Sequence, residues 1–282
     1  MQNNIPLAPV DYLVIGHIAC DLTPAGPRLG GTAAYSALTA RALGLRVGVV
    51  TARGQEVPLD VLDGIQVVNS AAQHSTTFEN IYTPQGRHQL IHYLAPELRY
   101  EDIPAIWQAA PIVHVGPIAG EGKSLADGRF PASMLGLTPQ GWLRTWDGTG
   151  RVHLGPWPEA LPALTKANAA VLSIEDVAGD EEQIEAMAIA CRVLAVTEGA
   201  AGARLYWNGD LRCFRAPQIK EVDPTGAGDI FAAAFFWRFS VTHDPWAAAR
   251  FATHLAAYSV TRRGLDGIPN QEEIQSCLVE VL

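Results

Sequence analysis

The sequence lacks clustered basic charge. Among 282 residues, 20 Lys and Arg stand against 29 Asp and Glu, for a formal net charge of -9. No stretch gathers the cations that a nucleic-acid or anionic-membrane surface requires. Paired cysteines are missing too: Cys20, Cys191, Cys213 and Cys277 lie far apart, with no C-x-x-C and no His at zinc-ligand spacing. That excludes a zinc site or disulfide framework legible in the sequence and leaves reduced, mostly buried thiols as the expectation. No apolar run approaches the roughly 20 residues of a membrane span, and Met1 to Pro9 carries neither the basic nor the apolar region of an export signal. These absences point to a cytoplasmic protein that handles a small molecule, with no nucleic acid and no membrane as partner.

What is present is β-α alternation. Tyr12-Leu13-Val14-Ile15, Val47-Gly48-Val49-Val50, Ile112-Val113-His114-Val115, Ala170-Val171-Leu172 and Val193-Leu194-Ala195-Val196 are continuous apolar runs, the pattern of strands buried on both faces of a parallel sheet. Helical patterns over Thr32 to Leu43, Asp180 to Ala190 and Ile230 to Phe239 lie between them. The reading is a doubly wound α/β core, a mostly parallel sheet flanked by helices, in one domain over residues 1–282. Thr76 to Leu94 breaks the pattern by alternating polar and apolar residues around Thr83-Pro84-Gln85-Gly86, which predicts a hairpin with one solvated face. Gly120 to Gly155, rich in Gly, Pro and Trp, reads as an ordered surface loop, with Gly141-Trp142-Leu143-Arg144 as a stretch that could instead approach a site. There is no internal repeat.

The chemistry concentrates in Asp223-Pro224-Thr225-Gly226-Ala227-Gly228-Asp229, where glycine-rich backbone runs into the apolar helix Ile230 to Phe235. Amides at such a helix start, unobstructed at Gly226 and Gly228, form an anion site suited to the charge that develops in phosphoryl transfer. Asp229 in the same turn is placed to accept a proton from an attacking hydroxyl. The competing reading is a helix cap on an ordinary tight turn. Upstream, Leu29-Gly30-Gly31-Thr32-Ala33-Ala34-Tyr35-Ser36-Ala37 offers two glycines before a helix of small residues. They could admit substrate hydroxyls to the backbone, or serve only tight packing.

Together and in this order, these segments resemble the two signatures of the ribokinase-like (PfkB) carbohydrate kinase family. Its D-T-x-G-A-G-D motif is matched at Asp223, Thr225, Gly226, Ala227, Gly228 and Asp229, with Pro224 as the departure. The resemblance implies a ribokinase-like fold with a small β lid formed by segments of about 17–29 and 75–95. It also implies transfer of a phosphoryl group from ATP to a hydroxyl of a small sugar or polyol. Asp229 would be the base, Gly226, Ala227 and Gly228 the anion hole, and Asp21, Gly30, Gly31 and Tyr35 the substrate contacts. Thr197-Glu198-Gly199-Ala200-Ala201-Gly202 is similar to the family's T-x-G-x-x-G turn beside the nucleotide, and Phe251 to Gly264 to the helix and loop flanking adenine. Thr197, Gly199, Gly202, Thr225, Gly228, His254 and Tyr258 are therefore expected at the nucleotide.

The family's N-x-x-E, which organises hydrated Mg²⁺, is replaced by Ser173-Ile174-Glu175-Asp176. Asp176 or Glu175 would serve Mg²⁺, or the pair is a plain acidic helix start. By the same resemblance Asp223, Thr225 and backbone near Gly264 could hold a monovalent cation, K⁺, and two chains could pair through their lids as a homodimer. Tyr35 stands where ribose-specific members carry Asn, and the details together are similar to the myo-inositol kinase branch. A nucleoside kinase and a catalytically impaired ligand-binding relative are the alternatives.

Overall fold

The computed structural model describes residues 6–83 and 86–279; the expected turn residues Pro84 and Gln85, like Met1 to Ile5 of the expected leaderless start, lie outside them. In chain order the elements are β1 (Tyr12–Ile15), β2 (Ala19–Thr23), β3 (Gly26–Gly30), α1 (Thr32–Ala42), β4 (Val47–Arg53), β5 (Gln66–Ala71), β6 (Thr77–Thr83), β7 (Gly86–Tyr93), β8 (Ile112–Val115), β9 (Met134–Leu137), β10 (Arg144–Trp146) and β11 (Val152–Leu154). There follow α2 (Ala160–Lys166), β12 (Ala169–Ser173), α3 (Glu181–Ala190), β13 (Val193–Thr197), β14 (Ala203–Trp207), β15 (Asp210–Phe214), α4 (Ala227–Thr242), α5 (Pro245–Ser259) and α6 (Gln271–Val279).

Nine strands form one sheet in the order β15-β14-β13-β12-β9-β8-β1-β4-β5. All neighbours from β13 to β5 are parallel, and only the β14 and β15 edge is antiparallel. Side chains alternate across it: Tyr12 and Val14 join the core under α1, α4 and α5, whereas Leu13 and Ile15 join the opposite core with Trp107 and Trp142. Helix α4 is apolar on every side because it lies inside the first core, with Phe231, Phe235 and Phe236 fully buried. Its Ala232-Ala233-Ala234 run is buried as well, and those small side chains allow close approach of the elements around it.

The order of strands locates the site. From β1 the chain builds outward through β4 and β5, and it then restarts at β8 and runs the other way through β9, β12 and β13. The crevice at such a reversal, beyond the carboxyl ends of the strands, is where α/β sheets bind ligands. Here β1 and β8 end in Gly16 and Gly116, which lie so close that a side chain on Gly16 would overlap the Gly116 carbonyl.

A second sheet, β3-β2-β6-β7, projects from this crevice. It is the expected β excursion, widened: segments 17–29 and 75–95 form one four-stranded unit in which β2 pairs in parallel with β6. Its attachment is fixed by a buried carboxylate. Glu121 accepts the N–H groups of His17 (2.9 Å), Ile118 (3.0 Å) and Ala119 (2.8 Å), while the His17 ring bonds Thr76 at 2.8 Å and the Pro96 carbonyl at 2.9 Å. Three of the four chain crossings between the two sheets thus converge on His17.

The surface-loop reading of Gly120 to Gly155 is corrected. The segment supplies β9 to the middle of the main sheet, and Gly141, Trp142 and Leu143 are buried. Strand β9 is only four residues long and contains Gly136, where a side chain would collide with the Phe236 ring. Packing against α4 dictates that glycine and erases the apolar signature of a strand. Further on, β10 and β11 form a hairpin that bridges to β7 through Leu90 and Arg151.

Removing the Glu121 carboxylate strands three N–H groups. Glu121→Ala is expected to destabilise the fold by on the order of 3 kcal/mol in urea denaturation; a loss below about 1 kcal/mol would mean that water replaces the carboxylate and that the latch is not structural.

Candidate active site

Helix α4 begins at the crevice. Its N-cap, Gly226, has φ 81°, and a side chain there would overlap the Tyr35 ring of α1, so both backbone conformation and space demand glycine. Ala227 N–H donates to the Pro224 carbonyl at 3.1 Å, closing the turn. The Gly228 amide follows it at the open, positive end of the helix.

Asp229 lies in the first helical turn. Its carbonyl accepts the Ser36 hydroxyl at 3.3 Å, and its carboxylate accepts a hydrogen bond from the Thr32 side chain. Thr32 in turn packs against Gly116 at the end of β8. The carboxylate thus stands over the strand-order reversal, tied to α1, with part of its surface still open. Burial pushes its pKa up to about 6; Asp176 and Asp21 add to the rise, and Thr32 and Arg144 oppose it. Such a group ionises within reach of neutral pH, and no side chain caps this helix, so the plain helix-cap reading of Asp229 is not what the structure shows.

On the lid side, Asp21 of β2 lies against Gly30 of β3, and a side chain at Gly30 would overlap the Asp21 carboxylate. Gly31 caps α1. Asp21, set against Gly30, is also close enough to Asp229 to add to the rise in its pKa. Tyr35 differs: it is 4% exposed and its ring lies beneath Gly226, facing Gly264. Its hydroxyl pKa is raised by burial first and then by Asp229, Asp21 and Asp223. This placement makes it a prop of the turn that starts α4.

Ser173 to Asp176 forms the acidic turn start, one of the expected readings. Asp176 Oδ2 accepts Ser173 N–H at 2.9 Å and Ser173 Oγ accepts Glu175 N–H at 3.2 Å, a capping box on a short 3₁₀ turn. Yet Asp176 is also close enough to raise the Asp229 pKa, and its other oxygen accepts Gln140 Nε2 at 3.1 Å. Glu175 is exposed. Among the described residues no group of three or more His, Cys, Asp or Glu could close around a metal. A hydrated Mg²⁺, which keeps its own waters and needs only one or two carboxylates, fits this donor set.

Asp223 accepts Thr225 N–H and Gly264 N–H, both at 3.0 Å. Burial would raise its pKa, but these bonds and the Arg263 charge hold it below the usual carboxylate value. It clasps the motif to the C-terminal loop, and a monovalent cation there would rely on carbonyl oxygens. On the donor side, Thr197 pairs in register with Ser173, so the T-x-G-x-x-G turn adjoins the acidic turn along the same sheet edge. Gly202 packs on the Phe214 carbonyl. His254 and Tyr258 lie one turn apart on the partly exposed face of α5.

Three site residues escape a motif reading: Thr32, Gln140 and Arg144. Thr32 directly follows the glycine pair and could have been suspected as a hydroxyl donor. Arg144 closes the Gly141-Trp142-Leu143-Arg144 stretch that could approach a site, whereas Gln140, in the segment otherwise read as surface loop, had no local mark.

Comparison with known proteins agrees with this geometry. Residues 160–272 match the family model described as pfkB family carbohydrate kinase. The cytidine kinase of Thermococcus kodakarensis is 28% identical, over 82% of this chain and 89% of that protein. The inositol 3-kinase of Zea mays is 34% identical over 137 residues, 45% of this chain and 33% of that protein. A solved pyrophosphate-dependent kinase in the ribokinase family, complexed with a pyrophosphate analog and myo-inositol, superposes with a TM-score of 0.75 at 20% identity, covering 94% of this chain and 99% of that one. At that identity the likeness concerns the fold.

The raised pKa of Asp229 has a consequence for stability. Between the ordinary value of 3.8 and about 6 the folded chain holds a proton that the unfolded chain has released, so stability is lost as pH rises through this window. Asp229→Asn is therefore expected to be more stable than the parent by about 3 kcal/mol well above pH 6, with the difference vanishing below pH 4. Urea midpoints at both pH values check this; a constant offset would show that Asp229 ionises normally.

Proposed function

Because the chain carries a PfkB-family kinase domain on a ribokinase-like fold, we propose that it transfers the terminal phosphoryl group of ATP to a hydroxyl of a small sugar or polyol. The observation that carries this reading is the placement of Asp229: a carboxylate with a pKa near 6, at an open helix N-terminus, facing the space bounded by Asp21 and Gly30-Gly31.

In this mechanism Asp21 and the Gly30-Gly31 backbone hold hydroxyls of the acceptor and aim one of them at Asp229. Asp229 takes its proton as the oxygen attacks the terminal phosphorus and the anhydride bond to ADP breaks. The Gly226 to Gly228 turn, whose N–H dipoles are already oriented, stabilises the charge that gathers on the phosphoryl oxygens. Arg144, whose charge reaches Asp229, balances the carboxylates around the acceptor. Asp176 and Glu175 would hold hydrated Mg²⁺, which when bound neutralises phosphate charge. Thr197, Gly199 and Gly202 line the donor's approach with His254 and Tyr258. Closure of the β3-β2-β6-β7 sheet would exclude water, the competing acceptor. Leu22, Ile81, Tyr93 and Leu94 expose apolar surface on or beside that sheet, which supports pairing of two chains through it.

The acceptor class is supported by the partial match to an inositol 3-kinase and by the myo-inositol held in the related solved structure. A nucleoside acceptor is the second reading, favoured by the nearly full-length match to a cytidine kinase. A panel of myo-inositol, other polyols, ribose, fructose, cytidine and adenosine with ATP separates them. The expected result is phosphorylation of a polyol or sugar, and loss of that activity in Asp229→Asn by a factor of about 10² to 10⁴ or more. Preference for cytidine over every polyol would replace the acceptor class, and unchanged turnover in Asp229→Asn would remove Asp229 from the mechanism.

A further inference from the structure

A second concentration of charge lies on the far edge of the sheet. Between β15 and α5 runs a cleft of about 350 Å³ lined by Arg212, Cys213, Phe214, Arg215, Arg250 and His254. Three guanidinium groups in one cleft are a marked departure in a chain whose net charge is -9. Arg212 is pre-set, its guanidinium 4.3 Å from the centre of the Trp246 ring, against which Phe214 also stacks. Arg215 and Arg250 are exposed at the rim.

This cleft is tied to the donor side of the site through shared backbone. Its Phe214 wall is the backbone on which Gly202 of the T-x-G-x-x-G turn packs. Its His254 wall lies six residues before Val260, about 9 Å along the helical path, and the Val260 carbonyl accepts the N–H groups of Val222 (2.7 Å) and Asp223 (3.1 Å), where the anion-hole motif begins. One end of the path is therefore a helix N-terminus open to a phosphate, and the other end is a triad of arginines. Guanidinium groups gathered in one cleft repel one another, an anion between them relieves that repulsion, and their planar donor forks match phosphate oxygens.

We propose that the Arg212, Arg215 and Arg250 cleft binds the far end of a phosphate chain, so that the donor path takes linear inorganic polyphosphate. The inference rests on the reading of Gly226 to Gly228 as the seat of the transferred phosphoryl group. In the reaction the acceptor oxygen bonds to the terminal phosphorus, the P–O–P anhydride bond breaks, the chain leaves one phosphate shorter, and the acceptor proton passes to Asp229.

Two measurements decide it. Calorimetric titration with tripolyphosphate should give saturable binding to the parent chain, weakened about tenfold or more in the double variant Arg215→Gln/Arg250→Gln, with the unfolding temperature unchanged. No binding, or equal binding in the variant, overturns the proposal. So does saturable binding of adenosine that the variant loses while tripolyphosphate binding persists, because the arginines would then stack on a base. In the second measurement, polyphosphate replaces ATP with an acceptor the enzyme already uses. Product is expected, and its absence beside normal ATP turnover counts against the proposal. A chain inactive with every donor would refute the kinase reading instead, while the titration still judges the cleft.

Discussion

The site depends on the contact between the first turns of α1 and α4. Tyr35 packs beneath Gly226, Thr32 bonds the Asp229 carboxylate, and Ser36 bonds its carbonyl. These three neighbours on one helix hold two segments that lie nearly two hundred residues apart in sequence. The contact needs glycine at Gly226 and small residues in both helices, so the two glycine-rich motifs are one structural requirement read from its two ends. The sheet order then places this contact at the reversal between β1 and β8, where the strand ends leave an open crevice.

Around that contact the electrostatics are deliberately unequal. Asp21 and Asp176 both act on Asp229 and make its ionisation harder, while Asp223 is satisfied by N–H donors and stays ionised. Similar carboxylates thus take separate tasks through their surroundings. Arg144, carried in from the segment after β9, tempers the excess negative charge and links the geometry of the lid-side hairpin to the reacting centre.

Much of this was legible in the sequence. The runs Tyr12 to Ile15 and Ile112 to Val115 are strands over those same residues, and the helix expected from Thr32 ends one residue early, at Ala42. They were readable because strands buried on both faces must be continuously apolar. Asp229 was readable as a carboxylate beside amides, although only the structure shows that it does not cap the helix and that burial raises its pKa. Strand β9 was hidden because Gly136 answers to Phe236, a residue a hundred positions away. Gln140 was hidden with it, while Arg144 was visible only as the end of a stretch that could approach a site. In Ser173 to Asp176 a capping box forms on the same carboxylate that a hydrated metal would need, and no spacing rule separates the two readings. Tyr35 was expected at the substrate, but the ring is spent on supporting the turn.

The central claim is that Asp229 acts as a base whose proton affinity is set by this contact. The measurement that addresses it most directly is the pH dependence of kcat/KM between pH 4.5 and 8 with a good acceptor. Since only the ionised carboxylate can take the acceptor proton, the rate should rise with pH along a single limb with an apparent pKa near 6 and level off above it. A profile that is flat across this range, or that falls through pH 6, would contradict the account.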